Sequence, residues 1–176
     1  IQKRIKEIVL FKEKQAFPLL MSAYFYLPPD EFVKVLKIIT IITFRYTVIG
    51  NLHTNLKEFV YNSAAVKISS REIVTAFQIA REVKALYPSD QDFKNDFSTI
   101  SISTRRSKKI ARYILFEIEN HLSHNDHDYE SCPATVEHVL PENAGDEWID
   151  QFPLTIQDSF VYRIGNYTLL EDDKNR

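Results

Sequence analysis

The sequence predicts a mainly α-helical chain that closes in a small α+β lobe. Three observations carry that prediction. Apolar residues recur at helical spacing along most of residues 1–125, the chain turns polar at His124-Asn125-Asp126-His127-Asp128-Tyr129, and two short β-like runs come after it at Ala134 to Leu140 and Tyr167 to Leu170. The polar run reads as a linker. It divides the chain into a helical domain, residues 1–125, and a lobe, residues 126–176.

Pro28-Pro29-Asp30-Glu31 opens a helix. Proline suits a first helical turn, and acids suit the positive end of the helix dipole. Phe32, Val35, Leu36, Ile39, Ile42, Tyr46 and Ile49 then fall on one face, while Val33, Ile38, Ile41, Phe44 and Val48 cover much of the other. A helix apolar on both sides is expected at the centre of the domain. Arg45, inside this run, is expected to pair with a buried carboxylate. Gly50-Asn51 is the stop, and the next helix runs from Thr54 to Ile68. Ser69-Ser70-Arg71-Glu72 has the form of a capping box, opening a helix that ends before Pro88. Ser89-Asp90-Gln91-Asp92 caps a short segment to about Phe97, and a further helix runs from Thr104 to Leu122. Between the two strands lies a long loop holding Trp148, which is expected to pack with Phe152 in the core of the lobe. After Leu170 the acids and Lys174 suggest a last helix. The chain opens on Ile1 and stops at Arg176, so it reads as a fragment whose last helix is cut short.

Composition excludes several classes. A 44% hydrophobic fraction, with twelve Phe and nine Tyr against three Gly, is enough for a packed core with few tight loops. The single cysteine, Cys132, rules out a disulfide or a multi-thiolate zinc cage within the chain; it is expected to be a small buried side chain in a reducing cytoplasm. The uncharged apolar run Ile38 to Phe44 is far shorter than the roughly 20 residues a bilayer span needs, so no membrane association is expected. The formal charge of −2 counts mildly against a protein that binds nucleic acid over its whole surface, but not against a local patch. The densest such patch is Arg105, Arg106, Lys108, Lys109 and Arg112; Arg105, Lys109 and Arg112 share one helical face. Phosphate contact is one reading of it and a solvated face the other. His121, His124 and His127, with Asp126 and Asp128, read as a helix end passing into a loop, without a clear fourth metal ligand.

The most specific chemistry lies near the end of the chain. Glu137 and His138 stand together at the end of a β-like run, Gly165-Asn166 precedes the second run, and Asn175 comes after it. Hydrolysis of a phosphodiester needs a base for water and positive charge for the phosphate. Histidine is the natural base at neutral pH. A hard cation such as Mg²⁺ takes oxygen ligands and is often held by one or two protein groups, here a carboxylate (Glu137) and an amide oxygen (Asn175). Neighbouring strand residues face opposite ways, so the strand must end or twist near His138, and Leu140-Pro141 is a plausible terminator. Asn166, by side chain or backbone, is expected to hold the His138 ring in one tautomer.

Glu137-His138-Val139-Leu140-Pro141-Glu142, with Ile164-Gly165-Asn166-Tyr167-Thr168-Leu169-Leu170 after it, resembles the C-terminal nuclease domain of GmrSD-type modification-dependent restriction proteins, an HNH (His-Me finger) variant. Asp173-Lys174-Asn175-Arg176 also resembles the HNH domain of the RNA-guided CRISPR nuclease. The nuclease resemblance covers residues 134–176, and the helices before it, with Phe25-Tyr26-Leu27-Pro28-Pro29 and Phe44-Arg45-Tyr46, are similar to the helical region such proteins carry. It implies a ββα-metal lobe, with His138 as general base, Glu137 as the acidic metal ligand, Asn166 as an orienting residue and Asn175 completing the site. It further implies Mg²⁺ or Mn²⁺, an N-terminal ParB-like NTP-hydrolysing domain in the same or a partner chain, and phage DNA carrying modified cytosines as substrate. Glu142 departs from the resemblance, since a Gln often stands after the motif proline; it reads as a solvated loop acid, like Asp146 and Glu147. The alternative expectation is a helical module that binds DNA or a partner, with a degenerate nuclease lobe. A third is a toxin or homing-type nuclease that uses the same finger.

Overall fold

The computed structural model describes residues 1–171. Contacts gather the chain into two compact units, Ile1–Ser98 and Thr99–Arg176. The described residues form eight α-helices and one two-stranded sheet, a mainly helical fold. None of these helices is long and apolar enough to cross a membrane.

The first unit contains α1 (Gln2–Leu10), α2 (Phe17–Tyr26), α3 (Pro29–Ile42), α4 (Thr54–Ser69), α5 (Ala76–Glu82) and α6 (Asp90–Thr99). As its two-sided apolar pattern predicts, α3 is central and packs on α1, α2 and α5, while α2 lies along α4. Val35, Leu36, Ile39 and Ile42 meet Leu19 and Ala23 of α2, and Tyr61, Ala64 and Ile68 of α4, in one buried cluster. Beyond Ile42 the helix widens into a π-helical stretch, Thr43–Ile49. It ends where the sequence places the stop. Gly50 N–H donates to the Arg45 carbonyl at 3.0 Å and Leu52 N–H to the Tyr46 carbonyl at 3.0 Å. A Cβ at Gly50 would sit 3.0 Å from that Arg45 oxygen and 3.2 Å from the Tyr46 carbonyl, so the close approach favours glycine there. The left-handed residue is Asn51, with φ of 46°.

The π-helical stretch faces a buried ion pair that nothing in the sequence announces. The Glu13 carboxylate accepts from Lys57 Nζ at 2.7 Å and from the Thr43 hydroxyl at 3.1 Å; its other oxygen accepts the backbone N–H groups of Gln15 at 2.9 Å and Ala16 at 3.2 Å. Lys57 also donates to the Thr47 hydroxyl at 2.9 Å. Both charges are buried and multiply bonded, which is what a charge outside water needs.

Two local expectations are corrected in this unit. The capping box is not at Ser69–Glu72. There the serine hydroxyls donate back to the carbonyls of Val66 at 2.8 Å and Lys67 at 3.2 Å, and Arg71 turns left-handed with φ of 65°, so the run ends α4. The box is Thr75 with Gln78, each side chain meeting the other's backbone N–H at the start of α5. Arg45 is not paired with a buried carboxylate. It bonds Asp90 at 2.7 Å and the Pro88 carbonyl at 3.0 Å, between the rings of Tyr87 and Phe93, and the Asp90 side chain is 77% exposed.

The second unit contains α7 (Thr104–Ser123), β1 (Thr135–His138), α8 (Leu154–Val161) and β2 (Tyr167–Leu170). The strands pair antiparallel, with Thr135 opposite Leu170, Val136 opposite Leu169, Glu137 opposite Thr168 and His138 opposite Tyr167. The sequence places α7 with the preceding helices up to residue 125, whereas here it belongs to the strands' unit. It buries Ala111, Tyr113, Ile114 and Phe116 and packs on both strands. The expected long loop around Trp148 contains α8, which starts at the Pro153 cap and buries only Gln157 and Val161. Trp148 is half-buried beside Phe152, which in turn packs edge-on against Phe160 at 5.6 Å. Cys132 is half-buried rather than buried. The expected last helix lies outside the described residues.

Lys57→Met leaves Glu13 buried without its cation. It is expected to destabilise the first unit by about 3–5 kcal/mol in chemical denaturation, and adding Glu13→Gln, which keeps an acceptor for the backbone donors, is expected to restore most of the loss.

Candidate active site

His138 is the last residue of β1, and the two residues after it fix its position. Val139 N–H donates to the Asn166 carbonyl at 2.9 Å, and Leu140 N–H donates to the Asn166 side-chain oxygen at 2.7 Å. The Asn166 amide nitrogen donates to the carbonyls of Leu140 at 3.0 Å and Val161 at 2.9 Å. One side chain therefore ties the segment after His138 to the end of α8. This corrects the expectation for Asn166. It does not hold the imidazole itself; it ends the strand and thereby positions the residue that carries the imidazole. Gly165 supplies no needed space, because a side chain there would meet nothing within 4 Å.

The register places His138 and Val136 on one face of the ribbon, with Tyr167 and Leu169. The imidazole packs edge-on against Tyr167 at 4.8 Å between ring centres and against Tyr162 at 6.0 Å. The Tyr167 hydroxyl donates to the Ile102 carbonyl at 2.6 Å, and burial pushes its pKa up to about 12, so it stays a neutral wall of the site. The His138 side chain is 15% exposed, but its Nε2 is shut off from solvent and has no hydrogen-bond partner. Nε2 lies 3.8 Å from Oε1 of Glu142.

Glu142 lies beside the His138 ring, a placement that its sequence context hides. It is not a free loop acid. Its Oε2 accepts from Arg105 Nη2 at 2.6 Å and Nε at 3.1 Å, and its Oε1 accepts from the Thr104 hydroxyl at 3.4 Å. The bonds from Arg105 hold its pKa below the ordinary 4.5, aided by the Tyr162 hydroxyl and the nearby His138 and opposed by partial desolvation. The same pair raises the pKa of Arg105. The available signal was spacing, an acid four residues after the histidine across the Leu140-Pro141 bend.

Glu137 stands on the opposite face of the ribbon, across from Thr168, and is half-buried. Its carboxylate is an oxygen donor of the kind a hard cation takes. Asn175 lies outside the described residues. Among the described residues, no three of His, Cys, Asp and Glu gather as a group able to hold a metal, so His121, His124 and His127 form no cage with their acidic neighbours.

The basic cluster on α7 divides by role. Arg105 is spent on Glu142. Arg112 donates to the carbonyls of Tyr129, Cys132 and Ala134 and lies over the Phe116 ring, so it clamps the approach to β1 and is not free for phosphate. Arg106, Lys108 and Lys109 are exposed. Ser107, with φ of −135°, breaks the helix between Arg106 and Lys108.

Asn166→Ala removes both the donor and the acceptor that hold Leu140, and is expected to destabilise the second unit by about 1–3 kcal/mol in thermal or chemical unfolding. Because the Glu142 pKa is depressed, the stability its carboxylate contributes is fully present above the ordinary 4.5 and is lost as pH falls through the lower folded value. Carboxylate NMR titration is expected to give a Glu142 midpoint below 4.5, and Arg105→Met should move it up.

No curated protein matches the chain. The family model for the C-terminal domain of GmrSD restriction endonucleases matches residues 87–176, half of the chain. The matched segment takes in the strand that ends at His138, the asparagine that ends it, and the anchored acid beside its ring, and the chain belongs to the GmrSD restriction endonuclease family.

Proposed function

We propose that this chain carries the nuclease portion of an anti-phage restriction protein, and that it hydrolyses DNA phosphodiesters with a divalent cation, Mg²⁺ or Mn²⁺. The observation that carries the reading is His138. It is a histidine at a strand end, inside the segment matched by a restriction endonuclease family, backed by an anchored carboxylate. In this reading His138 is the general base that takes a proton from the attacking water. Glu137 and Asn175 are the protein ligands of the cation. That assignment rests on donor chemistry, one carboxylate and one amide oxygen, which suits the sparse protein shell of Mg²⁺. When bound, the cation neutralises charge building on the phosphate and stabilises the leaving oxygen.

The residues of this chain do the remaining work. Asn166 ends β1 so that His138 sits at the rim of the ribbon. Tyr162 and Tyr167 flank the imidazole and limit its rotation. Arg106, Lys108 and Lys109 lie exposed near the start of α7, where a DNA backbone is the partner their charge fits. The ββα-metal description of the lobe, an N-terminal ParB-like NTPase domain in the same or a partner chain, and modified-cytosine phage DNA as the target complete the proposal as family-based elements.

His138→Ala in the full-length protein is expected to lower cleavage by about 100- to 10,000-fold with an unchanged circular dichroism spectrum. Chelation of divalent cations is expected to stop wild-type cleavage, and added Mg²⁺ or Mn²⁺ to restore it. Full cleavage by the alanine variant would refute the assigned base.

A further inference from the structure

We infer that Glu142 is a positioning residue for His138: it takes the hydrogen on Nε2, which leaves Nδ1 as the nitrogen that meets water. The inference rests on the reading of His138 as the base.

A neutral imidazole has one nitrogen that donates and one that accepts, and neighbours decide which is which. Nε2 of His138 is closed to solvent and lacks a partner, while a carboxylate oxygen lies 3.8 Å away. An ionised carboxylate only accepts hydrogen bonds. A lone pair on Nε2 would therefore set two acceptors against each other at an atom closed to solvent. A hydrogen on Nε2 turns the same approach into a charge-assisted bond once the Glu142 side chain closes by roughly 1 Å to normal donor–acceptor distance. The acid is held for this task. Arg105 grips Oε2 with two nitrogens, which keeps the group ionised, while Oε1, which also accepts from the Thr104 hydroxyl at 3.4 Å, faces His138.

The ring can then reach water only through Nδ1. A water O–H bond breaks, its proton forms the Nδ1–H bond, and the oxygen uses the freed electron pair to form a new P–O bond as the P–O bond to the leaving strand breaks and its oxygen takes that pair. The ring becomes an imidazolium, and Glu142 offsets its charge across Nε2. Arg105, which a reading from charge alone assigns to DNA, instead supports the base from behind. The charged and titratable groups around the ring are then Glu142 and Arg105 from the loop and α7, with Tyr162 and Tyr167 flanking it.

The test reads ¹⁵N shifts of the neutral His138 ring in the full-length, cation-free protein. Wild type is expected to show the Nε2–H tautomer. Glu142→Ala is expected to shift the ring to a tautomer mixture and to lower kcat by about 10- to 100-fold with KM unchanged. An Nδ1–H tautomer in wild type overturns the inference, and so does an unchanged tautomer in a folded Glu142→Ala protein. The wild-type measurement needs no variant, so a misfolded Glu142→Ala leaves the test intact. If His138→Ala still cleaves, the assignment of His138 as base falls while the tautomer assignment stands. If His138→Ala is inactive and Glu142→Ala changes neither tautomer nor rate, the positioning role falls and the nuclease reading stands.

Discussion

A ribbon of two four-residue strands is marginal in water on its own, and the candidate site is built on one. The second unit meets that constraint by bracing β1 at both ends and from one side. Before the strand, the Arg112 guanidinium gathers three carbonyls of the incoming chain, from Tyr129, Cys132 and Ala134. After it, the Asn166 amide takes both backbone groups of Leu140. Along its length, α7 supplies an apolar face. A planar fork with five donors suits converging carbonyls, and an amide that both donates and accepts suits a single peptide unit. The two residue types are therefore not interchangeable at these two places.

Much of this was legible from residue order because it depends on period and on local turn chemistry. The two-sided apolar pattern from Phe32 to Ile49 announced the central helix, and Gly50-Asn51 announced its end. The second strand, Tyr167 to Leu170, lies where its pattern placed it. The illegible features depend on partners distant in sequence. Glu13 lies between Lys12 and Lys14 and reads as a solvated acid; only Lys57, 44 positions away, shows that it is buried. Ser69–Glu72 and Thr75–Gln78 look alike as capping boxes, and tertiary packing decides that the first closes a helix and the second opens one. α8 is hidden because eight residues with two buried positions carry too little periodicity to be seen.

The α7 cluster shows why charge density is a weak guide to function. Basic side chains in a helix's first turn oppose the dipole, and elsewhere on a helix they are still drawn to whatever acceptors lie nearby. For Arg105 the acceptor is Glu142, and for Arg112 it is a set of backbone carbonyls. Of the cluster, only Arg106, Lys108 and Lys109 remain for an anionic partner, and the break at Ser107 keeps them from forming one continuous helical stripe. Three exposed cations on a broken helical face make a small basic patch, in keeping with a net charge of −2.

The pleat of β1 sets the last constraint. Glu137 and His138 are neighbours in sequence but sit on opposite faces of the ribbon, so neither face can present both to one phosphate. They can meet a common substrate only at the rim, where the strand stops and a group can approach from beyond its end. The strand stops at His138 because Asn166 captures the next two residues. In a strand continuing through Leu140, the imidazole would lie mid-ribbon and that rim would be lost. An asparagine hydrogen-bonded to backbone groups rather than to the imidazole thus sets where the strand ends, and with it the placement of Glu137 and His138 at that rim.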